Sequence, residues 1–326
     1  MQVSNTIKKL LHVALFFVVL VVLLLITSQI FFFFGKKSAG KVQDRNTNIT
    51  GIQVEKENTI DVLVLGDSLS YTSISPMQLF DETGVTSYVV GQHAQRVFET
   101  YTALEKGLET QNPKVVLIET NLFYRYKGNE TQLKIFEDVQ NVFQIFRYHN
   151  VWKQMFYDAT DTRCDYKGFI IRDWASAYKG RSNYMDSSSS KSSKEVKKYV
   201  YEYMDKMVAL CKERNIPILL FSAPSPKCYN SEKHNGLVEF AQKYDVDYID
   251  LNEYVKDIGI DWKKDTTDKG DHLNLYGAQK VTTYMSNYLV THYNLTDFRG
   301  TELGAEWSKL VDQYKKDIAK KEDKLL

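Results

Sequence analysis

Five short, nearly continuous apolar runs alternate along this chain with longer stretches of helical periodicity. That alternation restricts the fold more than any other feature of the sequence. The runs lie at 60–65, 87–90, 114–118, 216–222 and 246–250, and the helical stretches include Arg96 to Thr110, Lys194 to Arg214 and Asn235 to Tyr244. A strand that is apolar on both faces belongs in a sheet covered on both sides, and helices between such strands act as the crossovers of a parallel sheet. The expected fold is α/β, a flavodoxin-like doubly wound parallel sheet of about five strands. About 270 residues follow position 57, which suits one α/β domain with an insertion better than two independent domains.

The N-terminus carries a different signal. Val13 to Phe34 is an uncharged run of 22 residues interrupted only by Thr27, Ser28 and Gln29, and at about 1.5 Å per residue it spans roughly a 30 Å hydrocarbon core. A secretory signal has a shorter apolar core, about 7–15 residues, and a small-residue cleavage site; none stands out after Phe34. We therefore expect a cytoplasmic tail over 1–9, a transmembrane anchor over 10–34, a polar stalk over 35–56 and an α/β domain over 57–326. Lysines flank both ends of the span (Lys8 and Lys9; Lys36, Lys37 and Lys41), so charge alone does not orient it.

The pattern of strands breaks between about 122 and 193. Gln132 to Tyr148 is aromatic and amphipathic, further aromatics follow at Trp152, Phe156, Tyr157, Trp174 and Tyr178, and Ser187 to Ser190 form a flexible linker by composition. Two readings fit: a helical insertion with a small core of its own, or a lid beside the sheet whose aromatic faces suit sugar rings. Near the C-terminus, Gly277 to His292 and the stretch from Leu303 to Ile318 place their apolar residues on one helical face. The last helix is expected to dock on the domain.

With 42 basic and 41 acidic residues the net charge is +1, which argues against nucleic acid as a partner. Local lysine runs at 191, 194, 197 and 198 and at 315, 316, 320, 321 and 324 read as solvated helix faces. Cys164, Cys211 and Cys228 are odd in number and lack metal-ligand spacing, so neither a disulfide framework, a metal site nor a cofactor is expected.

In open parallel sheets the site lies at the carboxyl ends of the strands. Ser68, Gly91 and Asn121 each fall just past a strand, and His272 precedes the last helix of the α/β pattern. A serine at a strand end can be a nucleophile and a histidine at the far end of the domain its base. Each also has a plain structural reading, because a serine at such a turn often caps a helix. Asp67, Gln92 and His93 adjoin these positions and are expected to line the pocket.

The stretches Asp61-Val62-Leu63-Val64-Leu65-Gly66-Asp67-Ser68 and Gly270-Asp271-His272-Leu273-Asn274-Leu275-Tyr276-Gly277 resemble those of the SGNH (GDSL-type) hydrolase superfamily. The membrane-anchored branch is most similar: proteins like the D-alanyl transfer protein of teichoic-acid modification and the cell-surface polysaccharide O-acetyltransferases. The resemblance implies Ser68 as nucleophile, His272 as base, and an oxyanion hole formed by Ser68, Gly91 and Asn121. It also implies a domain outside the cell. The third block departs from the usual Gly-x-Asn-Asp and reads Glu119-Thr120-Asn121-Leu122. The position three residues before the base, where the orienting acid usually sits, is Lys269; Asp268 and Asp271 flank it, and either can serve.

The expected function is that of a membrane-anchored extracytoplasmic serine acyltransferase, placing an acetyl or D-alanyl group on hydroxyls of a surface polysaccharide or teichoic-acid-like polymer. A polytopic membrane O-acyltransferase would supply the acyl group. An anchored esterase of the same polymers and a non-catalytic polymer-binding or scaffold relative are the alternatives.

Overall fold

The computed structural model describes residues 2–37, 47–149, 151, 166–186 and 192–322. In chain order the elements are α1 (Gln2–Lys37), α2 (Thr47–Val54), β1 (Val62–Gly66), α3 (Ser68–Tyr71), α4 (Pro76–Thr83), β2 (Ser87–Gly91), α5 (Val97–Leu108) and β3 (Val115–Glu119). A 3-10 turn over Thr120–Tyr124 leads to α6 (Glu130–Val142) and α7 (Gln144–Arg147). Then come α8 (Lys198–Glu213), β4 (Ile218–Ser222), α9 (Ser231–Tyr244), β5 (Asp247–Asp250), α10 (Val255–Ile258), α11 (Leu275–His292) and α12 (Glu302–Glu322).

The five strands form one sheet in the order β2-β1-β3-β4-β5, with every neighbouring pair parallel. Every residue of β1 to β4 is buried, whereas the edge strand β5 begins exposed at Asp247. This is the doubly wound sheet that near-continuous apolar runs predict: strands buried on both faces have no polar side to alternate. The chain moves from β1 outward to β2 and then crosses back to β3 on the other side of β1, so the order reverses between β1 and β3. In sheets of this kind the carboxyl ends of the strands at such a reversal are where ligand sites form.

Helix α1 is apolar and outward-facing along most of its length, and Asn5–Phe34 is the one stretch among the described residues long and apolar enough to cross a membrane. Thr47–Val54, part of the segment expected as a stalk, instead folds as α2 with Thr47 to Gln53 buried. Its composition is polar, but Ile49 and Ile52 lie three residues apart on one helical face and enter the core, where α2 meets α5 and β2. The rest of the stalk and the Ser187–Ser190 linker fall largely outside the described residues, as do Trp152, Phe156, Tyr157 and Cys164.

The insertion does not enclose a core of its own in its described part. After a turn at 166–168, the chain crosses the domain to 178 as a strap, bonded in turn to β2 (Val89 N–H to Lys167 C=O, 2.9 Å), to the Tyr71 carbonyl (from Ile170 N–H, 2.9 Å), to the start of α11 (Leu275 N–H to Arg172 C=O, 2.9 Å) and to the loop before it (Ser176 N–H to Thr266 C=O, 2.8 Å). Tyr178 and Tyr184 both pack edge-on against Trp262 of the α/β domain. The terminal helix α12 docks on α4 as its apolar spacing predicts, with Trp307 against Phe80 at 5.3 Å between ring centroids.

Candidate active site

Strand β1 ends at Gly66, and Asp67 caps the short α3 that follows, its Oδ1 accepting the Leu69 N–H at 2.9 Å. Ser68 is the first residue of that helix, so the end of a rigid buried strand fixes its position. It is almost wholly enclosed, at 1% exposure.

His272 arrives from the opposite end of the chain, on the loop that enters α11. Asn274 caps that helix through the Gly277 N–H at 3.2 Å, and Thr266 and Thr267 both bond the His272 carbonyl. The Nε2 of His272 lies 2.7 Å from the Ser68 Oγ.

The two candidate acids occupy different places. Asp268 holds His272 twice: its Oδ1 accepts the backbone N–H at 2.8 Å and its Oδ2 lies 2.8 Å from Nδ1. Lys269 (φ +60°) and Gly270 (φ +89°) both adopt left-handed backbone and bulge the turn enough to bring Asp268 into reach. Asp271 Oδ1 lies 3.8 Å from the same nitrogen and instead accepts from the Cys228 thiol at 3.2 Å. Burial, together with Asp271 and in spite of the Ser225 hydroxyl bond, pushes that thiol up to about 12, so Cys228 is a neutral donor.

Burial pushes the Asp268 carboxyl up, but hydrogen bonds from His272 and the nearby Arg172 guanidinium outweigh it and hold the group below its usual range. Arg172, on the strap, places Nη1 3.5 Å from Asp268 Oδ2. With the Nδ1 proton held by an ionised Asp268, Nε2 is left to accept from the serine hydroxyl. Asp268, Asp271 and His272 also present ligand atoms within 4.8 Å of one another. Both ring nitrogens of His272 are already engaged, however, so the trio reads as a hydrogen-bonded acid–base set rather than a cation cage.

Gly91 ends β2 beside β1, and a Cβ there would stand 2.6 Å from the Ser70 Oγ. Close approach of the two turns thus needs a glycine. Asn121 is buried on the turn after β3, and its Nδ2 donates to Asp67 Oδ2 at 2.8 Å. One of the two amide hydrogens is so spent and the other remains. Asp67 is completely buried, Gln92 is buried with its N–H on the Gly66 carbonyl at 3.3 Å, and His93 is exposed on the turn beyond.

Four residues that sequence reasoning did not single out brace this set. Arg125 ion-pairs with Asp67 through Nε, and Arg172 braces Asp268. Glu119, at the buried end of β3, accepts the Asn121 N–H at 3.0 Å and the Tyr229 hydroxyl. Burial, and then the neighbouring Asp67, raises the Glu119 carboxyl well above the usual range. A glutamate closing an otherwise apolar strand is a visible oddity in the sequence; the other three carry no local signal.

No family model and no curated protein matches the chain. Among solved structures the chain is similar to a lipase/acylhydrolase from Enterococcus faecalis, at 11% identity over 73% of this chain and 99% of that one, with a TM-score of 0.40. It is also similar to a GDSL-like lipase from Bacteroides thetaiotaomicron, at 10% identity over 71% of this chain and 87% of that one, with a TM-score of 0.36.

Proposed function

We propose that this chain is a membrane-anchored serine acyltransferase of the SGNH (GDSL) type, acting outside the cell. The observation that carries the reading is the unbroken run from Ser68 Oγ to His272 Nε2 (2.7 Å) and from His272 Nδ1 to Asp268 (2.8 Å), set at the carboxyl ends of a parallel sheet.

In this mechanism Ser68 Oγ attacks the carbonyl carbon of an acyl donor while His272 Nε2 takes the hydroxyl proton. Asp268 keeps the imidazole in the right tautomer and stabilises the imidazolium. The carbonyl oxygen becomes an oxyanion, held by the Ser68 and Gly91 N–H groups and the free hydrogen of the Asn121 amide; such a donor is typically worth about 2.7–4 kcal/mol in the transition state. The donor's leaving group departs with the proton from His272, and an ester on Ser68 remains. A hydroxyl of a surface polysaccharide or teichoic-acid-like polymer then gives its proton to His272 and attacks that ester; as the bond to Ser68 Oγ breaks, His272 returns the proton to Oγ and the polymer carries the acyl group away.

Transfer is preferred over hydrolysis because the site is tied to the apolar N-terminal helix. Phe32 of α1 packs on Tyr148 at 5.8 Å, the Tyr148 hydroxyl bonds Thr50 of α2 at 3.3 Å, and Asn48 of α2 donates to the Gly91 carbonyl at 2.8 Å. That chain of contacts would keep the serine close to a membrane-borne donor, such as a polytopic O-acyltransferase.

The test incubates the detergent-solubilised full chain with an activated acetyl ester and maps adducts by mass spectrometry. We expect an acyl group on the Ser68 peptide, absent in Ser68→Ala and barely formed in His272→Ala. An unmodified Ser68, or activity lost with His93→Ala but kept with His272→Ala, would overturn the assignment. Ester content of purified surface polymers then gives direction: a transferase loses decoration in a Ser68→Ala strain, an esterase gains it, and a scaffold changes nothing.

A further inference from the structure

Helix α6 departs from the usual pattern of a water-facing helix by burying charge and exposing large apolar residues. Beside Leu133, which packs on the core, its inward face carries two glutamates, Glu130 and Glu137, both buried and each paired with an arginine at 2.6 Å: Glu130 with Arg96, and Glu137 with Arg147. Its outward face carries Ile135, Phe136, Val139 and Val142, and α7 extends the stripe with Phe146; these five are between 37% and 61% exposed. A surface helix normally turns its apolar stripe to the core and its charges to water. Large apolar residues exposed side by side, rather than singly, mark an interaction surface.

The neighbour of this face identifies its occupant. Helix α7 lies against α1: the Ile145 N–H donates to the Ser28 Oγ at 3.2 Å, and Ser28 is fully buried, with Leu24, Phe31 and Phe32 beside it half-buried and Leu25, Ile26 and Ile30 exposed. Ser28 precedes Phe34, the last residue of the apolar run, by six residues, or about 9 Å of helix. The contact therefore falls within the part of α1 that would lie in hydrocarbon. Satisfying the first-turn N–H of α7 from a serine on the spanning helix also meets the requirement that backbone donors at that depth find protein partners.

From this we infer that the outward face of α6 and α7 is embedded in the acyl-chain region of the leaflet on the domain's side, beside α1. The inference rests on the reading of α1 as a membrane span. The domain is then held at two places, by the span and by a half-inserted helix, which fixes its tilt as well as its distance from the bilayer. The occupant is phospholipid acyl chain; the Arg96–Glu130 and Arg147–Glu137 pairs are buried under the helix, and Arg96 and Glu137 meet Phe136 only at the groove along its flank.

The test reconstitutes the full chain in phosphatidylcholine–phosphatidylglycerol vesicles containing a phosphatidylcholine with a diazirine in its acyl chain. After irradiation, adducts are mapped on tryptic peptides. Cleavage after Lys134 and Arg147 releases all five outward residues on one peptide, 135–147. We expect lipid adducts on this peptide and on that of α1, and none on the 234–243 peptide of α9, at the opposite edge of the sheet. Label on α1 without label on 135–147 would overturn the inference while leaving the span intact, and would reserve the face for a protein. A folded chain with no label on α1 would defeat both readings. The triple variant Ile135→Gln/Phe136→Gln/Val142→Gln, confined to exposed positions, should lose the label on 135–147 and keep that on α1; undiminished labelling would also overturn the inference.

Discussion

Two histidine–aspartate pairs of the same length sit at the carboxyl edge of this sheet, and they are built for different ends. His272 Nδ1 lies 2.8 Å from Asp268, and His234 Nδ1 lies 2.8 Å from Asp250. The difference is in the third partner. His272 turns its other nitrogen to the Ser68 hydroxyl at 2.7 Å, whereas His234 Nε2 faces the Glu253 carboxylate at 3.7 Å. The first arrangement leaves an acceptor for a proton; the second surrounds the ring with negative charge and favours keeping one. Consistent with this, the hydrogen bond to Asp250, against the effect of burial, raises the His234 imidazole above its ordinary range. A histidine beside an aspartate is thus common structural material, and the group at its far nitrogen decides what the pair can do.

The sharpest way to break the comparison is Ser68→Ala, which removes that group from the first pair. Loss of a covalent nucleophile in a serine triad costs up to about 10⁶ in turnover, so on the proposed function acylation by an activated ester should vanish while the fold is kept. Next in size is Asp268→Asn, which leaves the ring in place but removes the charge that selects its tautomer, at a cost of about 10⁴.

Asp268 also makes a statement about pH. Its carboxyl is held low in the folded protein, so its contribution to stability is complete above the ordinary aspartate value of about 3.9 and is lost as pH falls through the depressed folded value. The gap between wild type and Asp268→Asn in denaturant melts should therefore close as pH falls below about 4 into stronger acid.

The second pair should respond in the opposite sense. His234→Ala leaves the buried Asp250 Oδ2 without its ring partner, a loss of about 1–3 kcal/mol in stability, with acyl transfer near the wild-type rate. Because the folded value of His234 is raised, its stabilisation is complete below the unfolded value of about 6.5 and disappears as pH rises through the folded one. The gap between wild type and variant in thermal melts should shrink from pH 6 towards alkaline pH. An activity loss in His234→Ala as large as in Asp268→Asn would erase the distinction between the pairs. The smallest effect belongs to Asp271→Asn: at 3.8 Å from Nδ1 it should change rates by no more than about twofold, the equivalent of ±0.5 kcal/mol.

Much of the fold was legible in the chain because burial on both faces leaves a plain signature. The runs at 60–65 and 114–118 became β1 and β3 with boundaries moved by one or two residues, and all five strands joined one parallel sheet. The placement of Ser68, Gly91 and Asn121 after their strands followed from the same reasoning. Helix α2 was missed because Thr, Asn and Gln dominate its composition, although the Ile49–Ile52 spacing was there to be read.

Sequence alone determined the apolar N-terminal helix, the alternation of strands and helices, and the edge of the sheet where polar residues gather, since each depends on periodicity or length within a short window. Tertiary structure decided what depends on distance and direction. It chose Asp268 to hold His272, because two left-handed residues bulge the intervening turn. It brought Arg172 to Asp268 across 96 positions and Arg125 to Asp67 across 58, contacts with no local trace. It also set the face of α6: an amphipathic repeat fixes that a helix has two faces, but only the arginines waiting at Arg96 and Arg147 could turn the glutamates inward and leave the apolar stripe outside.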